Sequence, residues 1–332
     1  MIAQLDPLLL KTRPWKAWPR LLAYLLFEGR PLTTRGRWIN PLVLAGYRLW
    51  GALPLRAAPV RPIFILGTGR SGTTVLARAL GMHREVGFLN EPKALWHAAT
   101  GEDDLIGSYS AQPGRFRMTA ADARPEVARR LNRYYRAYLR LSGCRRVVDK
   151  YPELLFRTDL LDRGFPEGRK IVLIRSGHDV CRSVAGWSRA NGRAGADWWG
   201  RQGRKWHLLV EQLVRPDPAF APLLPHLGEI RRQEDMAAVE WIVAMREVLR
   251  MRAMARPRTL YVRYESLLRH PRRELRRIMD FCGLEPDDTA LACAARLLRP
   301  PRRADTAPGL HPALQPLFDD TMHRLGYAPA RP

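Results

Sequence analysis

Lysine is scarce in this chain. Of its 56 lysines and arginines only six are lysine: Lys11, Lys16, Lys93, Lys150, Lys170 and Lys205. Acid is scarce too, and 32 Asp and Glu leave a formal net charge of +24 at pH 7. So one-sided a skew reads as arginine drift over most of the surface, which makes single arginines uninformative and the surviving lysines more interesting. The four cysteines, Cys144, Cys181, Cys282 and Cys293, form no C-x-x-C pair. That argues against a disulfide framework and suits small buried thiols in a reducing compartment. The histidines show no metal spacing such as H-E-x-x-H, and no metal site is expected. No stretch reaches the ~18 apolar residues of a membrane span. Lys11, Arg13, Lys16 and Arg20 precede a short apolar run at 21–27 with no clear cleavage site after it, so the N-terminus does not read as a secretory signal. A cytoplasmic location is the expectation.

What is present concentrates in residues 61–91. A continuous apolar run at 63–66 suits a strand buried on both faces. Gly67-Thr-Gly-Arg-Ser-Gly-Thr-Thr74 follows, then helix formers with a Val75, Leu76, Leu80 stripe. Strand, glycine-rich turn and helix start, in that order, make an anion site, because free backbone N–H groups and the helix dipole converge there. The spacing is that of a P-loop, but Thr73 stands where the lysine belongs. That lysine normally reaches the β- and γ-phosphates of a nucleoside triphosphate. Its absence weakens a kinase reading, and Arg70 becomes the cation of the loop.

Further strands are expected at 85–89, 146–149, 170–174 and 259–262, with helices between them. The expected fold is α/β: a P-loop-type parallel sheet flanked by helices, with a helical N-terminal appendage. Domain boundaries are expected at 1–58, a basic, Trp-rich segment, and 59–332, the main domain. The first segment carries nine Lys/Arg against Asp6 and Glu28, with Trp15, Trp18, Trp38 and Trp50. Two readings stand for it: packing over the main domain or capping an oligomer contact, or peripheral docking at the inner membrane face. Residues 101–118 read as a mobile loop, Thr119 to Asp122 as a capping box, and 195–255 as two long helices around a Pro-rich insertion.

Open parallel sheets bind ligands beyond the carboxyl ends of their strands. Gly67–Thr74, Glu91, Lys150, Arg175 and Tyr264 all fall just past such ends and are expected to share one edge. Arg70 and the loop amides face one phosphate. Arg175 and Ser183, eight residues apart, grip a second anion if the intervening segment is helical. Two grips imply a nucleotide phosphorylated at both 3′ and 5′ positions. Glu91 reads either as a surface acid paired with Lys93 or as a general base. Lys150 reads as a strand-end charge or as the group facing charge on a leaving oxygen. Asp149 competes as a Walker-B-type magnesium ligand, and Tyr264 as a core phenol.

The ordered motifs carry a resemblance. Gly-Thr-Gly-Arg-Ser-Gly-Thr-Thr, Glu91, Asp-Lys-Tyr-Pro at 149–152, Ile-Arg-Ser-Gly at 174–177 with Ser183, and Val-Arg-Tyr-Glu-Ser-Leu at 262–267 resemble PAPS-dependent sulfotransferases. Within that superfamily the chain is most similar to bacterial sulfotransferases related to tyrosylprotein sulfotransferases. The resemblance covers about 61–285 and the closing Leu-Gly-Tyr at 325–327. It implies a sulfotransferase fold and transfer of a sulfuryl group from PAPS (3′-phosphoadenosine 5′-phosphosulfate) to an acceptor hydroxyl. Gly69, Arg70, Ser71, Gly72, Thr73 and Thr74 then match the loop that binds the 5′-phosphosulfate. Arg175 and Ser183 match the 3′-phosphate pair, and Tyr264 a nucleotide contact. Glu91 matches the general base and Lys150 a transition-state lysine, with Arg70 completing the catalytic set.

Two departures stand out. Trp187 falls where the related enzymes have a further arginine, with Arg182 and Arg189 nearby. The closing loop, which carries a lysine and a serine in those enzymes, has only Arg299, Arg302, Arg303 and Thr306 at 299–308.

The acceptor stays open between a glycan, a lipid headgroup, a small metabolite and a peptide. The competing functions are a P-loop kinase-like phosphotransferase and a basic nucleic-acid-binding protein. No nucleic-acid partner is expected, since the ordered motifs have no place in that reading and no RNP-type or helix-turn-helix frame is present.

Overall fold

The computed structural model describes residues 5–29, 40–52, 59–191, 198–298 and 309–327. Its centre is a parallel sheet of five strands: β1 Ile63–Gly67, β2 Val86–Asn90, β3 Arg146–Lys150, β4 Arg169–Ile174 and β5 Thr259–Arg263. Each lies within a residue or so of the run expected for it. Their order is β2-β3-β1-β4-β5. Every residue of β1 is buried. Ile63 and Ile65 join a core with Leu76, Val148 and Ile171 on one face, while Phe64 and Leu66 join another with Val147, Val172 and Trp241. Helices cover both faces, and that is why the strands read as unbroken apolar runs rather than alternating ones.

The chain leaves β1 for β2, returns to β3 at β1's side, then crosses to β4 on the other side. Such a reversal opens a crevice at the strands' carboxyl ends. Register keeps those ends level: Asn90 pairs with Lys150, Gly67 with Leu173, and Ile174 with Arg263. The loops after all five strands therefore leave along one edge.

The N-terminal segment packs over the sheet through helix α1 Ala17–Leu22, which widens into a π turn at Ala23–Phe27, and helix α2 Asn40–Ala52. Both lie against helix α3, Pro125–Ser142. Phe27 and Tyr47 are buried in the main core. Three polar contacts run down the free edge of β2. Lys16 Nζ donates to the Val86 carbonyl (2.8 Å), Arg20 Nη1 to the Phe88 carbonyl (2.5 Å), and the Asn90 amide to Glu28 Oε1 (2.7 Å). Alternate residues of an edge strand point their peptide groups outward, so three side chains here stand in for a further strand. Arg20 also pairs with the fully buried Glu28 at 2.6 Å.

Several expectations are corrected. Residues 101–118 are pinned rather than loose: Asp104 accepts from the amides of Ser108 (2.8 Å), Tyr109 (2.7 Å) and Ser110 (2.8 Å). The Thr119–Asp122 capping box forms, but it caps a 3₁₀ turn, and Pro125 opens α3 itself. Between 198 and 255 one long helix is found, α4 Gln233–Ala253; before it come short α, π and 3₁₀ segments. The helix at Asp288–Leu297 is additional to the expected elements.

Arg20→Ala strips the buried Glu28 of its cation and should cost about 3–5 kcal/mol. Urea unfolding checks this, and a loss under about 1 kcal/mol would show that the β2 edge is held by something else.

Candidate functional site

The loop after β1 closes on itself before it can hold anything. Ser71 donates through its hydroxyl to the Thr68 carbonyl (2.7 Å), and its amide reaches the same oxygen (3.3 Å). Gly72 then turns left-handed (φ 95°) and the helix Thr73–Gly81 begins. That helix leaves its first N–H groups without intrahelical partners, as every helix does. Two loop glycines make room for rings. A Cβ on Gly69 would lie 2.2 Å from the Trp198 ring, and one on Gly72 would lie 2.2 Å from the Tyr264 ring. The Thr68 hydroxyl is buried without a partner among the described residues.

Arg70 projects from this loop with φ 64°, a left-handed backbone rare for a side chain of its size. Its Nε donates to Ser183 Oγ at 3.0 Å. Arg175 Nη1 donates to the Arg70 carbonyl at 2.8 Å, and its guanidinium lies 4.7 Å from the Tyr264 ring centroid. The helix Gly177–Asn191 carries Ser183 into place, so the helical condition on the Arg175–Ser183 spacing is met. Arg70, Arg175, Ser183 and Tyr264 thus gather in one place. Burial, and next the Arg175 charge, pull the Arg70 guanidinium below its ordinary value. Arg175 Nε is buried without a hydrogen-bond partner among the described residues, and Asp179 Oδ2 lies 4.0 Å from it. Crowded cations with unspent donors fit an anionic ligand.

Glu91 follows β2, also left-handed at φ 51°. Its amide donates to the Lys150 carbonyl (2.6 Å), and the buried Lys150 ammonium donates to Glu91 Oε1 at 2.5 Å. Lys93 lies farther, at 3.9 Å from Oε2. The acid–Lys93 pair is therefore the minor contact, and Lys150 is no loose strand-end charge. Strained backbone at two non-glycine residues, both on the sheet's carboxyl edge, costs about 1–3 kcal/mol each, and such strain clusters at functional sites.

Some neighbours escaped sequence reasoning. Trp198 covers Gly69, packs edge-on to Trp187 and donates to Glu240 at 2.7 Å. Lys205, buried between Glu240 (2.5 Å) and Glu153 (3.3 Å), lies 4.8 Å from that indole. Those two carboxylates raise the ammonium above its usual range despite burial. Asn90, beside Glu91, keeps both side-chain polar atoms buried without partners among the described residues. The chain's late segment returns too: Glu265 accepts from the Ser176 amide (2.9 Å) and the Tyr327 hydroxyl (3.0 Å). Of the arginines near Trp187, Arg182 pairs with Asp179 and Arg189 with Glu234. Residues 299–308 lie outside the described residues.

Comparison with known proteins adds the following. Residues 62–222 match the model of the sulfotransferase family. Nodulation protein NoeE of Sinorhizobium fredii is 28% identical over 232 residues, 67% of this chain and 50% of that protein. The chain thus spans about half the length of the curated relative it matches. Among solved structures, sulfotransferase STF9 from Mycobacterium avium is similar at 15% identity and a TM-score of 0.48, covering 100% of this chain and 90% of that one. The sulfotransferase domain from the curacin biosynthetic pathway gives 17% identity and 0.47, covering 82% and 99%.

Asp149 points to the core, not to the site. Its Oδ2 accepts from Tyr135 (2.6 Å) and Trp96 (2.9 Å), and Oδ1 is buried without a partner among the described residues. The carboxylate is thus committed elsewhere than to a Walker-B role. Burial pushes it up to about 7 from 3.8. A raised folded-state value favours the protonated fold, so this stabilisation is complete below about 3.8 and is lost as pH rises through about 7. Between pH 4 and 8 the wild type should lose stability relative to Asp149→Asn. Parallel urea midpoints across that range would refute it.

Proposed function

We propose, from the chain's place in the sulfotransferase superfamily, that it transfers a sulfuryl group from PAPS to an acceptor hydroxyl. The single observation that supports this most is the meeting of Arg70, Arg175 and Ser183 at the tips of β1 and β4. Its finer placing, nearer to the tyrosylprotein enzymes, rests on the Arg-Ser-Gly-Thr-Thr loop and the glutamate base.

On this reading the loop Gly69–Thr74 and Arg70 hold the 5′-phosphosulfate. Arg175 and Ser183 hold the 3′-phosphate, and Tyr264 flanks the nucleotide while bracing Arg175. The donor supplies an activated sulfuryl group with a phosphate leaving group. The acceptor oxygen attacks sulfur in line as Glu91 takes the hydroxyl proton. The sulfur–oxygen bond to the 5′-phosphate breaks, and its electron pair stays on the phosphate oxygen. Lys150 and Arg70 face that developing charge. Position and charge neutralisation do most of the work, as in phosphoryl transfer. No metal step is assigned: Thr73 replaces the P-loop lysine, and the Asp149 carboxylate is spent on Tyr135 and Trp96. The acceptor is a hydroxyl of a glycan, lipid headgroup, small metabolite or peptide.

Calorimetry with adenosine 3′,5′-bisphosphate tests the donor half. Arg70→Ala and Arg175→Ala should each weaken binding by about tenfold or more, as loss of a charge-assisted hydrogen bond does. Glu91→Gln should leave binding intact and lower labelled-sulfate transfer by about 10²–10⁴. Tighter binding of ATP–Mg²⁺ than of the bisphosphate would favour a kinase-like phosphotransferase and overturn the proposal.

A further inference from the structure

Burial is incomplete on one side of this molecule in a patterned way. Of the large apolar side chains exposed among the described residues, all but Leu141 and Met254 belong to residues 10–49. Leu141 adjoins them, its carbonyl accepting from Trp18 Nε1 at 2.9 Å. On the 3₁₀ turn Pro14–Lys16, α1 and its π turn, Trp15 (60% exposed), Trp18 (57%) and Leu25 (55%) recur at helical spacing. On α2, Leu42 (71%) and Leu49 (63%) flank exposed Ala45 at i, i+3 and i+7. Phe27 joins the two helices from beneath, packing against Tyr47 and Trp50. These stripes are outward faces of one layer, not the stray exposed leucines that any surface shows.

Charge around the layer has one sign. Helix α3, which carries both helices, places Arg129, Arg133, Arg136 and Arg140 at i, i+4, i+7 and i+11, a single row. Arg133 ties that row to α2 through the Gly51 carbonyl. The two acids of residues 5–52 are both consumed internally, Asp6 by Arg78 and Glu28 by Arg20. On α3 the only acid is Glu126, paired with Arg129.

We propose that this face docks on an anionic phospholipid bilayer, with Trp15, Trp18, Leu25, Leu42 and Leu49 in the headgroup–acyl boundary and the α3 arginines on lipid phosphates. Tryptophan suits that boundary because its ring is apolar and its N–H polar. A second copy of the chain is the weaker occupant. A twofold contact would set the same patch against itself and bring two arginine rows together, with Glu126 as the one acid of α3 beside them. A soluble polyanion would answer the arginines and leave the leucines in water. A lipid surface answers both, and apolar burial plus attraction to anionic lipid are the two terms that bind interfacial helices.

The test is co-sedimentation of the full chain with phosphatidylcholine vesicles, with and without one third phosphatidylglycerol. Pelleting is expected on the anionic vesicles alone, falling with added salt, and brominated acyl chains should quench the tryptophan emission. The pair Trp18→Ser, Leu42→Ser should weaken partitioning about tenfold, and Arg129→Gln, Arg140→Gln should reduce its salt dependence. Unchanged urea midpoints and unchanged adenosine bisphosphate binding in these variants separate a lost docking face from a lost fold or a failed donor site. No pelleting on anionic vesicles, or pelleting without quenching, overturns the proposal. So does a dimer in velocity sedimentation that the serine pair dissolves.

Discussion

Two guanidinium groups meet at the tips of β1 and β4, and the rest of the site is arranged to tolerate that meeting. Like charges at such range repel, and partial burial sharpens the repulsion. The structure meets the cost locally. Arg175 spends one donor on the Arg70 carbonyl and lies over the Tyr264 ring, where the π face offers partial negative charge. Trp241 fixes the Arg175 carbonyl at 3.0 Å. Gly72 has no side chain because the Tyr264 ring occupies that space. Removing any one of these loosens the others, so loop, helix start and β5 end form one unit.

The Glu91 side of the cleft depends on the N-terminal segment in the same indirect manner. Glu28 holds the amide of Asn90, the residue before Glu91, and Arg20 holds Glu28. A buried ion pair contributes little net stability but defines geometry, because breaking it strands a charge. Residues 5–29 thus close the β2 edge and set where β2 ends. They pack with the main sheet even though their composition differs from it.

Legibility in the sequence followed the strength of local signals. Strands β1 and β4 were the most readable because burial on both faces leaves 63–66 and 171–174 without polar interruption. The candidate site was readable as a cluster because glycine, arginine and hydroxyl types coincide at strand ends. Lysine scarcity also informed: Lys16, Lys150, Lys170 and Lys205 are all buried, each on a specific oxygen. What failed was long-range. Nothing near Asp104 announces that it will take three amides, and polar composition at 101–118 imitates looseness. Trp198 looks like any core ring until Gly69 is found beneath it. The broken helix before residue 233 reflects tertiary packing overriding a periodic pattern.

The link between Arg70 Nε and Ser183 Oγ has a consequence for ligand binding. On the proposed reading these groups serve opposite ends of one nucleotide, yet here they satisfy each other. Donor binding then exchanges one hydrogen bond for another, and such exchanges are close to neutral. The remaining gain is electrostatic, from bringing phosphate charge to guanidinium groups that already repel. Affinity built this way falls with ionic strength, though less steeply than at an open surface, since the groups are partly shielded from solvent. Selectivity for a doubly phosphorylated nucleotide would then come from relieving both cations at once, which a singly charged end cannot do.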